Sequence, residues 1–122
     1  MPVINPGSFL PYRVYAAIMN QSGVAAPVAI VLQNTLGGTI VWSYSGVGFY
    51  VGTLNGAFTA GKTFCLCGTP GNFTGSDPDH NIAELLRTSV NTVELNTLTN
   101  GAGNFTTDDR MSDLALEIRV YQ

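Results

Sequence analysis

Apolar and polar positions alternate with a period of two along most of this chain, as expected for strands that bury one face. The stretch YRVYAAIM sets Tyr12, Val14, Ala16 and Ile18 on one face. In TIVWSYS, Ile40, Trp42 and Tyr44 share a face opposite Val41, Ser43 and Ser45. KTFCLC sets Phe64 and Leu66 against Cys65 and Cys67, and TVELNTL sets Val93 and Leu95 against Glu94 and Asn96. The clearest run is LALEIRVY, which predicts Leu114, Leu116, Ile118 and Val120 inward, with Glu117 and Arg119 outward. The expected fold is all-β: a single antiparallel β-sandwich or jelly-roll-like domain of about 7–8 strands.

The connections agree with this reading. Gly37-Gly38 separates VAIVLQN from TIVWSYS, and Ser45-Gly46-Val47-Gly48 separates that strand from FYVGTL. Asn55-Gly56 then supplies a dipeptide suited to the positive φ angles of tight turns. Residues 28 to 68 are therefore expected to form a four-stranded antiparallel meander. Long polar loops are expected at 68–81 (GTPGNFTGSDPDHN) and 99–113, and loops of that length are often functional or interfacial. IAELLRTSV, residues 82 to 90, is ambiguous. Ile82, Leu85 and Leu86 fall at helical spacing and Asn81 with Glu84 fits a capping box, yet Arg87-Thr88-Ser89-Val90 favours extension; a strand, or a short helical turn leading into one, is the preferred reading. Residues 1–122 read as one domain, with the proline-rich stretch 1–11 as an extended arm.

Charge changes the picture more than length does. Charged residues make up 11% of the chain and the net charge is −3, so self-repulsion is weak. A typical soluble protein is about 25% charged. The deficit suggests a surface that is covered in an assembly. The five basic residues, Arg13, Lys62, Arg87, Arg110 and Arg119, are scattered and form no stripe for phosphates, which argues against nucleic acid as a partner. The N-terminal MPVINPGSFLPYR has no basic stretch and no apolar core of a secretory signal, and no apolar run approaches a membrane span; a chain made without a leader and without membrane insertion is expected.

Motifs for chemistry are missing. The sequence contains no G-x-S-x-G elbow, no G-x-x-x-x-G-K loop and no G-x-G-x-x-G loop. Cys65 and Cys67 lie two apart on a strand, too far apart for an unstrained mutual disulfide, and read as small buried hydrophobes. No cofactor and no strong metal site is expected. Weak candidates for a cation are Asp77 and Asp79, flanking the only histidine, His80, with Asp108, Asp109 and Asp113 as a second acidic cluster. Phe73 and Phe105 sit in polar loops, where an exposed ring is costly unless it folds back or meets a partner; with His80 they are the candidate partner contacts. Tyr15, Tyr50 and Tyr121 fall opposite Tyr12, Phe49 and Val120, so aromatics occupy both faces of their strands. The residues therefore point to a binding or structural domain, not to an enzyme. The alternative to a purely structural role is a module binding carbohydrate or a host-surface molecule, with Phe73, Phe105, Tyr44 or Trp42 as stacking platforms.

One resemblance adds to this. VLQNTLGGTIVWSYSGVGFYVGTLNGAFTAGKTF and the ending LALEIRVYQ resemble small β-structured proteins of tailed phages, especially phages of Bacteroidetes hosts. The pieces that carry the likeness are Leu32 to Gly37, Trp42, Gly48 to Leu54, Gly61 to Phe64, and Ile118 to Tyr121. The resemblance implies a virion component made in the host cytoplasm: a capsid decoration protein, a head-fibre module or a tail component. It also implies a homo-oligomer, a trimer by preference, with capsid or tail proteins as further partners. No catalytic residue carries over, and the loop from Thr69 to Asn81 departs from the pattern.

Overall fold

The computed structural model describes residues 10–69, 80–100 and 104–122, with the side chains of His80, Asn100, Asn104 and Phe105 outside that set. Among the described residues the chain forms nine strands and no helix. They are β1 (Tyr12–Gln21), β2 (Val28–Asn34), β3 (Val41–Gly46), β4 (Phe49–Thr53), β5 (Thr63–Cys67), β6 (His80–Arg87), β7 (Thr92–Asn100), β8 (Asn104–Thr106) and β9 (Met111–Tyr121). A four-stranded sheet has the order β2-β1-β9-β5, and a five-stranded sheet has the order β3-β4-β7-β6, with β8 also pairing with β7. All pairings are antiparallel. The two sheets pack as a β-sandwich, as the alternation predicts.

The core follows the pairing register. Tyr15, Ala17 and Met19 of β1 lie opposite Ile118, Leu116 and Leu114 of β9, and all six are buried. From the other sheet, Trp42, Tyr50, Val93 and Leu95 face them. Each fully buried side chain of this size stabilises the fold by about 1.5–3 kcal/mol. Trp42 Nε1 donates to the Tyr15 hydroxyl at 3.3 Å, so the two large rings meet across the sandwich without an orphaned polar atom. Gly52 pairs with Trp42 across β3 and β4, and a Cβ there would lie 3.0 Å from the indole ring. Phe58, fully buried, packs into the core from the loop between β4 and β5, and its carbonyl accepts Arg87 Nε at 2.7 Å.

The structure corrects one sequence expectation and decides two points that the sequence left open. Residues 28 to 68 do not form a meander: only β3 and β4 pair with each other, while β2 pairs with β1 and β5 pairs with β9. The turn after β2 carries the chain across to the other sheet, with Leu36 and Ile40 buried on the way. On β1 the core takes Tyr15, Ala17 and Met19, and of the opposite set, Tyr12, Val14, Ala16 and Ile18, only Val14 is buried. The doubtful segment 82–90 is strand to Arg87 and then a turn into β7, closed by Thr88 N–H donating to Thr92 O at 3.0 Å. Ala83 and Leu85 point inward from it, and Ile82 and Leu86 outward.

The sandwich has two unlike flanks. Where β5 and β6 meet, Cys67 Sγ donates to Ala83 O at 3.4 Å and links one sheet to the other. The opposite flank ends in the edges β2 and β3. No charged residue lies between Arg13 and Lys62, so β2, β3, β4 and nearly all of β1 are free of formal charge.

Candidate contact surface

Two places in the fold bring polar or reactive groups together. The first is a seam where the β3–β4 turn meets the segment leading into β9. Asp108 accepts there from Gly48 N–H at 2.9 Å, from the Tyr50 hydroxyl at 2.8 Å and, through its other oxygen, from the Tyr44 hydroxyl at 2.8 Å. Burial pushes its carboxyl pKa up, but these donors outweigh burial and hold it below the usual aspartate range. Burial and the carboxylate together push the Tyr50 hydroxyl well above an ordinary tyrosine, and Tyr44 is raised by its bond to Asp108 and by burial. Gln21 completes the seam: its Oε1 lies 2.9 Å from the Tyr50 hydroxyl and accepts Asp109 N–H at 3.0 Å, while its Nε2 donates to Gly23 O and Ala25 O.

The turn is shaped to allow this. Gly48 sits at φ 71°, and a Cβ there would lie 2.6 Å from both Thr107 N and Thr97 O. Thr97 N–H donates to Gly48 O, and Thr97 Oγ1 donates to Thr107 O at 2.7 Å. A carboxylate that already accepts three bonds and is held ionised has no proton to give and little lone-pair capacity to spare. The seam is a structural fastening.

The cysteines are equally quiet. Both are free and half-buried on the inner side of β5, opposite Ile118 and Leu116. Burial raises both thiol pKa values, so they stay protonated at neutral pH and lack the thiolate that nucleophilic chemistry needs. A depression of about 330 Å³ beside the start of β2 is lined by Asn20, Gln21, Ala25, Val28 and Met111 among others, with no titratable side chain. Among the described residues no group of three or more His, Cys, Asp or Glu side chains is placed to hold a metal ion.

The second place is the open flank and the sheet surface beside it. Val28, Ile30 and Leu32 of β2 are 65%, 55% and 66% exposed. On the outer face of the four-stranded sheet, Ile30, Ile18 and Ala115 form one row across β2, β1 and β9. Leu66 and Phe64 on β5 extend the apolar area next to Glu117 and Arg119. Those two charges neutralise each other through a 2.9 Å contact, and the Arg119 guanidinium also lies 4.9 Å from the Tyr12 ring centre. An apolar area of this kind, rimmed by polar groups, is the type of surface through which proteins commonly make contacts. β2 itself has no charge and no proline, the usual guards of an edge strand. Its one irregularity is a bulge: Val31 pairs with Ala17 and Gln33 with Ala16, leaving Leu32 extra.

Of the candidate contacts, Phe73, Asp77 and Asp79 lie outside the described residues. His80 opens β6 and Phe105 lies on β8, and their side chains lie outside the described set. Asp108, grouped in sequence with an acidic cluster, is engaged by tyrosines. Trp42 is 9% exposed, so its ring offers no stacking platform for a sugar, and Tyr44 is half-buried with its hydroxyl bonded to Asp108. Tyr15 and Tyr50 belong to the core, whereas Tyr12 and Tyr121 pair on the strand ends with ring centres 5.0 Å apart. No helix among the described residues is long and apolar enough to cross a membrane. The uncovered edge had no local sequence signal, because VAIVLQN reads like any buried strand. In comparisons with protein-family models, curated proteins and solved structures, nothing matches the chain.

Proposed function

We propose that this chain is a non-catalytic structural module that works by burying uncharged β surface against other protein. The observation that carries this reading is the open flank: an apolar edge strand without charge or proline, beside an apolar sheet face. The setting we propose is a phage particle, where the chain would serve as a capsid decoration protein, head-fibre module or tail component after synthesis in the host cytoplasm. Support for that setting comes from the resemblance of Leu32 to Gly37, Gly48 to Leu54, Gly61 to Phe64 and Ile118 to Tyr121 to small phage proteins. The partners are further copies of the chain, as a homo-oligomer for which the resemblance favours a trimer, and a capsid or tail protein. The low net charge of −3 supports close packing of copies, since it opposes their approach only weakly.

The test is to purify particles from infected host cells on a density gradient and quantify the chain by mass spectrometry. A fixed copy number that co-sediments with the capsid and survives a salt wash is the expected result. Loss of the chain from washed particles would sink the phage setting.

A further inference from the structure

We propose that β2 is a pairing strand for a second copy of this chain, with the two β2 strands joined antiparallel about a twofold axis. The four strands of one sheet would then continue into the four of its mate. This deepens the contact-module reading and rests on it, but departs from the resemblance in stoichiometry, because a contact of one patch with itself closes at two copies.

Backbone chemistry gives the first argument. An edge strand turns the N–H and C=O of alternate residues away from its neighbour, and an identical strand running the opposite way supplies matching acceptors and donors. The regular run is Val28 to Val31, before the bulge at Leu32.

Charge selects the occupant. β2 is uncharged, and so are its neighbour β1 beyond Arg13 and the other free edge, β3. Two copies joined here bring no like charges together. A copy approaching the outer face of β6 and β7 would meet Glu84 and Glu94, and a highly charged partner would lose hydration at β2 with nothing to pair against.

Area sets the strength. The regular run Val28 to Val31 spans about 14 Å at about 3.4 Å per residue, so strand pairing on its own covers a small area. That lies at the low end for specific pairs, so the dimer should be concentration-dependent.

The experiment is light scattering across a concentration series of the unmodified chain, the Val28→Lys/Ile30→Lys variant, the Val28→Glu/Ile30→Glu variant and an equal mixture of the two. Both positions are more than half exposed, so the folded chain tolerates them. The unmodified chain should pass from one to two chains, each variant alone should remain single, and the mixture should recover the two-chain mass. Amide exchange on the unmodified chain gives a second measure that needs no variant: β2 amides should slow about tenfold on concentration, with β3 unchanged. The proposal is overturned by a single-chain mass up to millimolar concentration, by a two- or three-chain mass that the lysine variant leaves intact, or by protection at β3 instead. Pairing by a chain that is absent from particles would sink only the phage setting; a β2 that fails to pair in a chain found on particles would sink only this inference.

Discussion

The seam at Asp108 and the edge at β2 lie in one small sandwich but leave opposite amounts undone. At the seam, both hydroxyls and the turn amide that face the carboxylate are bonded to it, and among the described residues the buried side-chain atoms without a partner are Thr107 Oγ1 and Asn96 Oδ1. At β2, among the described residues, backbone groups of alternate residues and four large apolar side chains, Val28, Ile30, Val31 and Leu32, remain uncovered. The contrast shows where function can reside. A saturated polar cluster fastens the fold and has little left for a partner, whereas an edge strand keeps backbone groups that another strand could pair. Substitutions at the seam should therefore act on stability, and substitutions at β2 on association.

The hardest blow to the seam is Gly48→Ala. The added Cβ meets two backbone atoms that cannot move without breaking the Thr97 and Thr107 bonds, and φ 71° is itself strained for alanine. A loss of about 3–4 kcal/mol is expected in urea unfolding. A loss below about 1 kcal/mol would show that the turn adjusts freely and that the seam is not tight.

Asp108→Ala should cost about 2–3 kcal/mol, since it strands Gly48 N–H and the Tyr44 hydroxyl while Tyr50 retains Gln21. Tyr50→Phe should cost less, about 1–2 kcal/mol, because the carboxylate keeps its other donors. The pH dependence follows from the shifts. The folded pKa of Asp108 lies below its unfolded value, so its contribution is complete above about pH 4 and disappears as pH falls through the folded value. Tyr50 is shifted upward in the folded chain, so its contribution is complete below about pH 10 and declines above that. Unfolding free energies from pH 2 to 11 should show a shallower acid limb in Asp108→Ala and a shallower alkaline limb in Tyr50→Phe. Unchanged limbs would mean that neither group is anchored as described.

Much of the fold could be read from the sequence because burial and alternation coincide. Leu114, Leu116, Ile118 and Val120 point inward as expected, as do Trp42, Val93 and Leu95. On β1 both alternate sets are apolar, so periodicity marks a strand without choosing its buried face; pairing with β9 makes that choice. The meander failed for a related reason. Gly37-Gly38 marks the end of a strand, but a turn signal does not say which sheet the next strand joins. The seam was beyond local reading altogether, since Tyr44 and Tyr50 lie 64 and 58 residues from Asp108. Its visible trace was an acidic pair after a polar loop, which reads equally well as a cation site.

The smallest effect on the fold should come from β2, and there the comparison is sharpest. Leu32→Thr removes an apolar side chain that is 66% exposed and lies at a bulge, so unfolding of the dilute single chain should change by no more than about 0.5 kcal/mol. Association should respond more, because a twofold contact loses the side chain from both copies. The dissociation constant should rise about tenfold, equivalent to about 1.4 kcal/mol. Thermal melts at low concentration and light scattering on the same samples separate the two quantities. A destabilised single chain with unaltered association would place Leu32 among the groups that hold the sandwich together, and β2 would then be an ordinary strand with an accidental exposure.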